Sequence, residues 1–492
     1  MGDIEELIKT VDYKDVLFYF AEISRVPRGS GHNGKISTYL VEFAKSHGLR
    51  YVKDAFENVI IYKPASPGYE GHTGVVLQGH MDMVCVAGEG VSHDFLNEPL
   101  SLFVDGDFIG ARGTTLGGDD GIAVAYGLAL LADETAKHPA LEVVITTDEE
   151  TGMYGAKGLD ASLISGRYMI NADSEDEGVA LVSCAGGLRA TGKLMLVREE
   201  ALGKVLSFRI FGLLGGHSGA EIHKYRTNAI YLMARLLFDL KKEQEFMLLN
   251  MEGGEKDNAI PASAQVSLLI PPDKEEEAVQ AVSRLFEVYR RELCGGEPGM
   301  EFIFFKEDTG KWMRGDGKYA ALCPETFGKF LFLLMQAPDG VQKMSHEIEG
   351  LVESSLNLGI LSMSDKEAVF HFSVRSCVGS YKYFLRDKLC DLFCFAGAHC
   401  EADSDYPAWE YRKDSVLREK FTEVFSQFYG RKPQIKAIHA GLECGLICEK
   451  IPDMDIVSIG PDMRDIHTPK ERLCVSSALR VYRFLEQLFA AL

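Results

Sequence analysis

The sequence predicts an α/β protein in which helices cover a largely parallel β-sheet. Strand-like and helix-like patterns alternate along residues 1–187, and such alternation is typical of βαβ units, whose strands run parallel. The strand-like runs are 59–62, 74–78, 141–146 and 168–170, and the helix-like runs are 13–23, 35–47 and 121–134.

The pattern changes after Gly187 and returns to its first style near residue 404. Residues 188–403 carry two further sets of strands and helices, which predicts two α/β layers side by side with weakly similar halves. The returning elements are a helix at 415–429, a strand at 456–459 and a helix at 476–488. We therefore predict a discontinuous first domain, 1–187 and 404–492, with a second domain inserted into it.

Composition and charge exclude several classes of partner. The 492 residues are 46% hydrophobic and 25% charged, which is ordinary for a soluble globular protein. A net charge of −21 argues against binding to nucleic acid or to an anionic membrane. No apolar run approaches the ~18 residues of a membrane span, and the acidic start lacks the regions of a signal peptide. We therefore expect a cytoplasmic location.

The eleven cysteines are scattered, with no Cys-x-x-Cys pair, so we expect reduced, mostly buried thiols. Cys390 and Cys394 are four residues apart in an apolar helical run, which favours core packing. Cys394, His399 and Cys400 are an alternative metal site, but no second pair of ligands accompanies them.

Three apolar runs, 73–77, 140–146 and 168–172, end in a histidine or in carboxylates. They are followed by Gln78-Gly79-His80-Met81-Asp82, by Thr147-Asp148-Glu149-Glu150-Thr151-Gly152 and by Asp173. In open α/β sheets, ligands bind in the crevice outside the carboxyl ends of the strands. An imidazole with several carboxylates suits one or two divalent metal ions. The three strings together indicate a metallohydrolase.

Each candidate has a structural alternative. On a regular strand His80 and Asp82 face the same side, so Asp82 could accept a hydrogen bond from the imidazole and orient it. Asp119 lies in a glycine-rich loop at 112–121. It is either the N-cap of the next helix or a carboxylate that bridges two metals, since glycines let the backbone approach ions closely. A phosphate-binding loop is disfavoured because the Gly-Lys-Ser/Thr core is missing.

The adjacent Glu149 and Glu150 point apart, so one can bind metal while the other accepts a proton as general base. The alternative is an acidic pair that caps a surface turn, and Asp173 could likewise belong to a polar loop. This set lacks a second imidazole. His467, which follows the last predicted strand, is the leading candidate, and His439 is its competitor.

With these strings in place, the chain resembles the aminoacyl-histidine dipeptidases (peptidase D), a branch of the dizinc aminoacylase/carboxypeptidase-type metallopeptidases. The resemblance covers almost the whole chain. The matching segments are Gly79-His80-Met81-Asp82-Met83-Val84, residues 112–119, residues 148–152 and Asn171-Ala172-Asp173. Three departures bear on fine specificity: Asp120 stands where the nearest branch usually has Asn, Gly118 replaces a usual Ala, and the residues before His467 differ.

The resemblance implies two Zn²⁺ ions, with Co²⁺ or Mn²⁺ as substitutes, and a role for each candidate. The ligands would be His80 and Asp173 for one ion, Glu150 and His467 for the other, and Asp119 as the bridge between them. Asp82 would orient His80, and Glu149 would be the general base.

The resemblance also implies that the discontinuous domain is catalytic and that residues 188–403 form a lid, which often carries a homodimer contact. In the lid, His217 would help polarise the scissile carbonyl, in its own site or in the partner subunit's. Asn258 and Arg375 look like substrate-binding positions, and a guanidinium matches a C-terminal carboxylate bidentately. The alternatives are a turn asparagine and a strand-end arginine.

The implied reaction is the hydrolysis of dipeptides, of Xaa-His type. A water that bridges two metal ions has its pKa lowered to about 7, so Glu149 could take its proton. The resulting hydroxide would attack the peptide carbonyl, and Glu149 would pass the proton to the leaving amine. The same dizinc core could instead act on tripeptides or N-acyl amino acids, and a catalytically silent binding protein is a remoter alternative.

Overall fold

Helices and strands alternate along the chain, and the computed structural model describes them for residues 3–307 and 310–492. The α-helices are α1 (Ile4–Thr10), α2 (Lys14–Ser24), α3 (Gly34–Ser46), α4 (Gly118–Ala132), α5 (Tyr154–Gly158), α6 (Ala229–Leu240), α7 (Glu275–Leu293), α8 (Pro324–Gln336), α9 (Gly379–Phe395), α10 (Val416–Tyr429), α11 (Glu443–Lys450) and α12 (Val475–Ala491). None of these described helices is long and apolar enough to cross a membrane.

The strands are numbered in the same way. They are β1 (Arg50–Lys53), β2 (Val59–Lys63), β3 (Val75–His80), β4 (Leu102–Asp105), β5 (Phe108–Ala111), β6 (Leu141–Thr146), β7 (Tyr168–Asn171), β8 (Val179–Cys184), β9 (Gly186–Met195), β10 (Arg198–Ala201), β11 (Lys204–Phe211), β12 (Gly216–His217), β13 (Met247–Gly253), β14 (Ala259–Ile260), β15 (Ala264–Ile270), β16 (Glu301–Phe305), β17 (Tyr319–Leu322), β18 (Gly340–Met344), β19 (Val352–Met363), β20 (Glu367–Ser376), β21 (His399–Tyr406), β22 (Gln434–Ile438), β23 (Asp455–Ser458), β24 (Met463–Arg464) and β25 (Arg472–Cys474).

The described chain divides into two compact units. Unit 1 runs up to Ser183 and also contains Tyr411–Ala437 and Leu442–Leu492. Its large sheet has the strand order β1-β2-β6-β3-β7-β23-β8-β22. The four central strands β6, β3, β7 and β23 run parallel, while β1, β2 and β8 pair antiparallel. The prediction of an α/β fold with a largely parallel sheet is confirmed.

Burial explains why the central strands read as continuous apolar runs. Every residue of β3 and β6 is buried, as expected for parallel strands covered on both faces. Helix α4 packs against this sheet and is itself almost wholly apolar. At Gly127 a Cβ would lie 2.6 Å from Cγ1 of Val143, so glycine permits the close approach of helix and sheet.

The register of the parallel strands brings their carboxyl ends to one edge. His80, the last residue of β3, lies opposite Thr146, the last residue of β6. Asn171, the last residue of β7, lies opposite Gln78 of β3 and Ser458 of β23. The loops that follow these strands therefore leave the sheet side by side.

Unit 2 consists of Cys184–Glu410 and Ile438–Gly441. Its sheet has the order β16-β11-β15-β13-β19-β20-β9-β21, with β18 added beside β19. The first four strands, with α6 and α7, form one βαββαβ module, and the last four, with α8 and α9, form a second with the same strand order. The modules meet where β13 pairs with β19 at Gly253 and Leu361. The sequence predicts two layers side by side; the structure joins them in one sheet.

One pair of cysteines corrects the expectation of reduced thiols. Cys390 in α9 and Cys400 in β21 form a disulfide, with their Cα atoms 5.1 Å apart. Helix α9 packs against β21, so residues ten apart in sequence meet after the turn that joins these elements. Cys400 is therefore not available for the alternative metal site with Cys394 and His399. The assignment of catalytic and lid roles to residues 1–187, 188–403 and 404–492 stays a prediction.

Candidate metal centre

Two overlapping groups of metal-ligating side chains lie at the carboxyl ends of the parallel strands of unit 1. One contains His80, Asp119 and Asp173, the other contains Asp119, Glu150 and His467, and within each group the ligand atoms lie within 4.8 Å of one another. Asp119 belongs to both groups. The structure thus brings together all five residues that the sequence nominates as ligands.

The distances show how Asp119 is shared. Its Oδ1 lies 3.2 Å from Nε2 of His80, and its Oδ2 lies 3.0 Å from Nε2 of His467. The second carboxylate of each group is close by: Asp173 Oδ1 is 3.7 Å from His80 Nε2, and Glu150 Oε1 is 2.9 Å from His467 Nε2. Each group thus offers one imidazole nitrogen and two carboxylates, one of them the shared aspartate, and this is a donor set that suits zinc.

The pKa shifts indicate that the carboxylates of the two ligand groups stabilise positive charge. Hydrogen bonds to Asp119 and Glu150 raise the pKa of His467 to about 10. Burial lowers the pKa of His80, but its bonds to Asp119, Asp173 and Asp82 outweigh burial and raise this pKa well above its usual value. Burial raises the pKa of Asp173 to about 6. Cations held by these groups would displace the imidazole protons, so metal binding should release protons.

The His80 ring contacts Asp82, and the shorter of the two contacts is to the backbone. Its Nδ1 lies 3.1 Å from the carbonyl oxygen of Asp82 and 3.4 Å from the carboxylate Oδ1. The Asp82 carboxylate accepts hydrogen bonds from the Ser30 hydroxyl at 2.8 Å and from the Glu149 backbone N–H at 3.1 Å. Asp82 therefore links the imidazole to the turn that carries Glu149.

Glu149 lies beside the ligand groups but belongs to neither of them. Burial raises its pKa well above the usual range, and the neighbouring charges of Asp173 and Glu443 add to this effect. The sequence assigns no role to Glu443, although the residue stands beside the His439 motif. The structure buries it completely, with its Oε2 accepting hydrogen bonds from Gln78 Nε2 and Thr146 Oγ1, both at 2.6 Å.

Two buried charged residues that sequence reasoning missed hold the loop that carries Asp119. Glu471 accepts hydrogen bonds from the backbone N–H groups of Leu116 at 2.8 Å and of Gly118 at 2.7 Å. From the other side, Arg28 donates to the carbonyl oxygen of Gly117. Both side chains are 2% exposed, so these contacts are shielded from water.

The glycines of this loop are the sequence feature that could have indicated that other side chains approach it closely. A Cβ at Gly117, whose φ is +65°, would come within 2.5 Å of the Arg28 guanidinium. Close approach of a side chain thus explains the glycine, but the sequence does not say which side chain approaches. Glu471 also lies four residues after His467, so one loop both supplies a ligand candidate and holds the other ligand loop.

The departure at Asp120 has a physical explanation. This residue is completely buried, and its Oδ2 accepts a hydrogen bond from the His80 backbone N–H at 3.2 Å. Burial and the charge of Asp173 raise its pKa well above the usual range. An asparagine side-chain oxygen could accept the same hydrogen bond, so Asp120 can stand where Asn is usual.

The remaining sequence candidates lie in unit 2, where Arg375, His217 and His439 form a basic cluster. Arg375 is 8% exposed and donates to the Tyr406 hydroxyl at 2.9 Å, and among the described residues no carboxylate pairs with it. Burial lowers the pKa of His217, and the Arg375 charge lowers it further. Asn258 is tied to the loop that carries His217, since its backbone carbonyl oxygen accepts a hydrogen bond from the Ser218 N–H at 2.8 Å.

His439, the competitor for the second imidazole, belongs to this cluster and to neither ligand group. Its Nε2 lies 2.8 Å from the Ser355 hydroxyl, and burial lowers its pKa to about 3, assisted by the charge of Arg375. A histidine that stays neutral inside a basic cluster is suited to hydrogen bonding rather than to pairing with carboxylates. The geometry therefore favours His467.

The tautomer of His217 follows from its neighbours. Its Nδ1 accepts hydrogen bonds from the backbone N–H groups of Gly219 at 3.2 Å and of Ala220 at 2.9 Å. The proton of the neutral ring therefore sits on Nε2. This is the form that can donate a hydrogen bond to a carbonyl oxygen.

An α/β sheet whose strand ends gather imidazoles and carboxylates able to hold divalent cations is typical of metal-dependent hydrolases. Comparison with known proteins agrees. Residues 76–491 match the model of peptidase family M20/M25/M40, and the chain belongs to this family of hydrolases.

Two relatives match over nearly their whole length. The cytosol non-specific dipeptidase of Escherichia coli (strain K12) is 37% identical over 471 residues, which cover 95% of this chain and 96% of the relative. The crystal structure of aminoacylhistidine dipeptidase from Vibrio alginolyticus superposes with a TM-score of 0.90 at 34% identity, covering 99% of this chain and 98% of the other. Aminopeptidase PepT from Bacillus cereus, at 14% identity and a TM-score of 0.55 over 98% of this chain and 99% of its own, shares the fold.

Proposed function

We propose that this chain is a metal-dependent dipeptidase that hydrolyses Xaa-His dipeptides with two Zn²⁺ ions, for which Co²⁺ or Mn²⁺ can substitute. The observation that carries the proposal is Asp119, which offers one carboxylate oxygen to each of the two ligand groups. The names of the two full-length relatives support a dipeptide substrate. We assign His80 and Asp173 to one ion, Glu150 and His467 to the other, and Asp119 to both.

Bound cations would lower the pKa of the attacking water and polarise the scissile carbonyl. Glu149 takes the proton of that water and delivers it to the leaving amine. Its burial supports this role, because a carboxyl group with a raised pKa is a stronger base once it is ionised. Asp82 fixes the His80 ring and, through the Glu149 N–H, the turn that carries the base.

The basic cluster of unit 2 supplies the groups for the rest of the substrate. Arg375 binds the C-terminal carboxylate, a role supported by its buried charge with no described carboxylate as partner. His217 donates from Nε2 to the scissile carbonyl oxygen, and Asn258 contacts the substrate beside it. An anionic ligand would supply the negative charge that is needed to pair with the buried Arg375 guanidinium.

The central test is a panel of substrates on metal-reconstituted protein. We expect cleavage of Xaa-His dipeptides, loss of activity after chelation, and recovery with two equivalents of Zn²⁺ measured by elemental analysis. Faster cleavage of a tripeptide or an N-acetyl amino acid would replace the dipeptide assignment. Two bound equivalents of zinc with no hydrolysis of any short peptide would identify a binding protein instead.

We further propose a cytoplasmic homodimer that forms through the lid, residues 188–403. The dimer is checked by sedimentation of the purified chain at micromolar concentration, where a mass of one chain, 54.4 kDa, would overturn it. Cell fractionation with an antibody against the chain tests the location, and recovery in a membrane or exported fraction would contradict it.

A further inference from the structure

Tyr406 lies beside Arg375 in the sheet of unit 2, and the proposed mechanism gives it no role. Strand β9 lies between β20 and β21, and its residue Gly187 pairs with Arg375 on one side and with Tyr406 on the other. Residues directly opposite each other in antiparallel strands point to the same face of the sheet. The side chains of Arg375 and Tyr406 therefore flank Gly187 on one face, with their strands about 10 Å apart.

The glycine at position 187 lets these two side chains meet. The Tyr406 hydroxyl reaches across Gly187 and accepts a hydrogen bond from Arg375 Nη1 at 2.9 Å. A Cβ at Gly187 would collide with that hydroxyl oxygen. Gly187 lies inside β9 and has no positive φ, so its backbone conformation does not require glycine. The space that the Tyr406 hydroxyl occupies accounts for the glycine.

Three further features fix the position of Tyr406. Lys382, which is 1% exposed, donates to the backbone carbonyl oxygen of Tyr406 at 2.6 Å and forms an ion pair with Asp405. A Cβ at Gly441 would lie 2.7 Å from Cε2 of the ring, so the ring is closely confined on that edge too. Strand β21 also has a bulge just before Tyr406, and without its extra residue Asp405 would stand opposite Gly187.

The hydrogen bond holds one part of the Arg375 guanidinium and leaves another part open. Nε of Arg375 is buried and has no hydrogen-bond partner among the described residues. The Nε–H and the neighbouring Nη2–H form a pair that matches a carboxylate bidentately. Because the guanidinium is planar, a bond that holds Nη1 also fixes the direction in which this pair points.

Tyr406 holds the guanidinium without neutralising it. Burial raises the pKa of the Tyr406 hydroxyl above its usual value, although the Arg375 charge opposes this effect. The hydroxyl therefore stays neutral near pH 7, and the positive charge of Arg375 remains available to an anionic ligand. A carboxylate in the place of the hydroxyl would cancel that charge.

We propose that Tyr406 is a positioning residue, which orients the Arg375 guanidinium so that its Nε edge receives the C-terminal carboxylate of the substrate. The inference rests on the proposed function, which assigns that carboxylate to Arg375. In this role Tyr406 acts through Arg375 and does not itself bind the substrate. A misplacement of ~1 Å in a binding group can cost ~10²-fold in rate, so loss of this bond has a measurable effect.

The test measures kcat and KM for Ala-His and for its C-terminal amide with the zinc-loaded full chain. Tyr406→Phe removes only the hydroxyl and should raise KM for Ala-His about tenfold, with kcat within about twofold of the wild type. Gly187→Ala leaves both partners in the chain but displaces the hydroxyl, so it should give the same selective loss. Cleavage of the amide, which lacks the carboxylate, should change in neither variant.

The matched control is Tyr289→Phe. It removes another tyrosine hydroxyl of unit 2, one that donates to Asp239, and should leave the kinetics of both substrates unchanged. An equal loss for Ala-His and its amide in Tyr406→Phe and Gly187→Ala would mean that the two residues only maintain the fold, and it would overturn the positioning role.

A double variant tests whether Tyr406 acts through Arg375. In the Arg375→Met background, the addition of Tyr406→Phe should have no further effect on KM, because the bond that it removes is already absent. A tenfold effect that persists in this background would overturn the positioning role. If Arg375→Met alone cleaved Ala-His as the wild type does, the proposed function would lose its carboxylate site, and the positioning role would fall with it.

Discussion

The acidic cluster of unit 1 and the basic cluster of unit 2 differ in the counter-charge that each would need: positive for the first and negative for the second. In unit 1, Asp119, Glu150 and Asp173 gather around two imidazoles whose pKa values they raise. In unit 2, Arg375 is buried without a described carboxylate, and burial together with the Arg375 charge lowers the pKa values of His217 and His439. Buried charges are normally paired, so each cluster calls for a ligand of opposite sign. The first suits cations and the second suits a carboxylate.

The largest expected effect concerns Glu149, the proposed general base of unit 1. Glu149→Gln should lower kcat by ~10²–10⁴-fold, because the amide cannot accept the proton of the attacking water. Zinc content by elemental analysis should stay at the wild-type value, since Glu149 lies outside both ligand groups. Glu150→Gln is the contrasting variant and should lose bound zinc. Near-normal turnover by Glu149→Gln would show that another group acts as the base.

The next largest effect tests whether Arg375 of unit 2 pairs with the negative charge of the substrate carboxylate. Arg375→Met should lower kcat/KM for dipeptides about 100-fold, mainly through KM, because the substrate carboxylate loses a buried charged partner. Dipeptide amides provide the control: they lack the carboxylate, so the variant and the wild type should cleave them equally slowly. A loss of equal size for the amide would mean that Arg375 does not bind the carboxylate.

A smaller effect concerns stability in acid. The folded chain keeps His439 neutral with a pKa of about 3, whereas an unfolded histidine has a pKa of ~6.5. The neutral residue thus contributes stability that is fully present above pH ~6.5 and is lost as the pH falls toward 3. At pH 5 the loss is about 2 kcal/mol. His439→Gln should flatten this dependence in urea unfolding of the full chain between pH 7 and pH 5, and an unchanged slope would contradict the assignment.

The smallest effect tests how the acidic cluster is positioned. Glu471→Gln keeps the size of the side chain but weakens its hold on the N–H groups of Leu116 and Gly118. We expect zinc affinity to fall at least about tenfold, measured by competition with a chromogenic chelator, as is usual for groups that orient metal ligands. Glu419→Gln, at an exposed glutamate of unit 1, is the control and should bind zinc as the wild type does. Unchanged affinity in Glu471→Gln would show that the loop keeps its place without this charge.

The sequence was most informative where structure is local. Strand periodicity followed by a polar residue predicts both β3 and His80, because a buried strand leaves the core at its end. The structure gathers the nominated ligands into two groups that could hold metal ions, and three of them lie at the ends of β3, β6 and β7 or in the loops that leave these ends side by side at one edge of the sheet. Apolar runs likewise predict β11, α6, β15, α7 and β16 of unit 2, but they do not predict β13, the strand at which the two modules meet.

The sequence was least informative about buried polar side chains that bond to distant backbone. Arg28 and Glu471 are 443 positions apart in the chain and approach the same loop, and nothing in their local patterns distinguishes them from surface charges. The disulfide of Cys390 and Cys400 was missed for a related reason, since it depends on the packing of α9 against β21.

The sequence by itself determined the α/β class, the strand ends that supply the ligand candidates and the acidic character of their surroundings. These features follow from residue periodicity and residue type, which act over a few neighbouring positions. Only the tertiary structure placed Asp119 in both ligand groups, brought His467 rather than His439 beside Glu150, and buried Arg375 without a described carboxylate partner. Those outcomes depend on distances between residues far apart in the chain, and packing alone sets such distances.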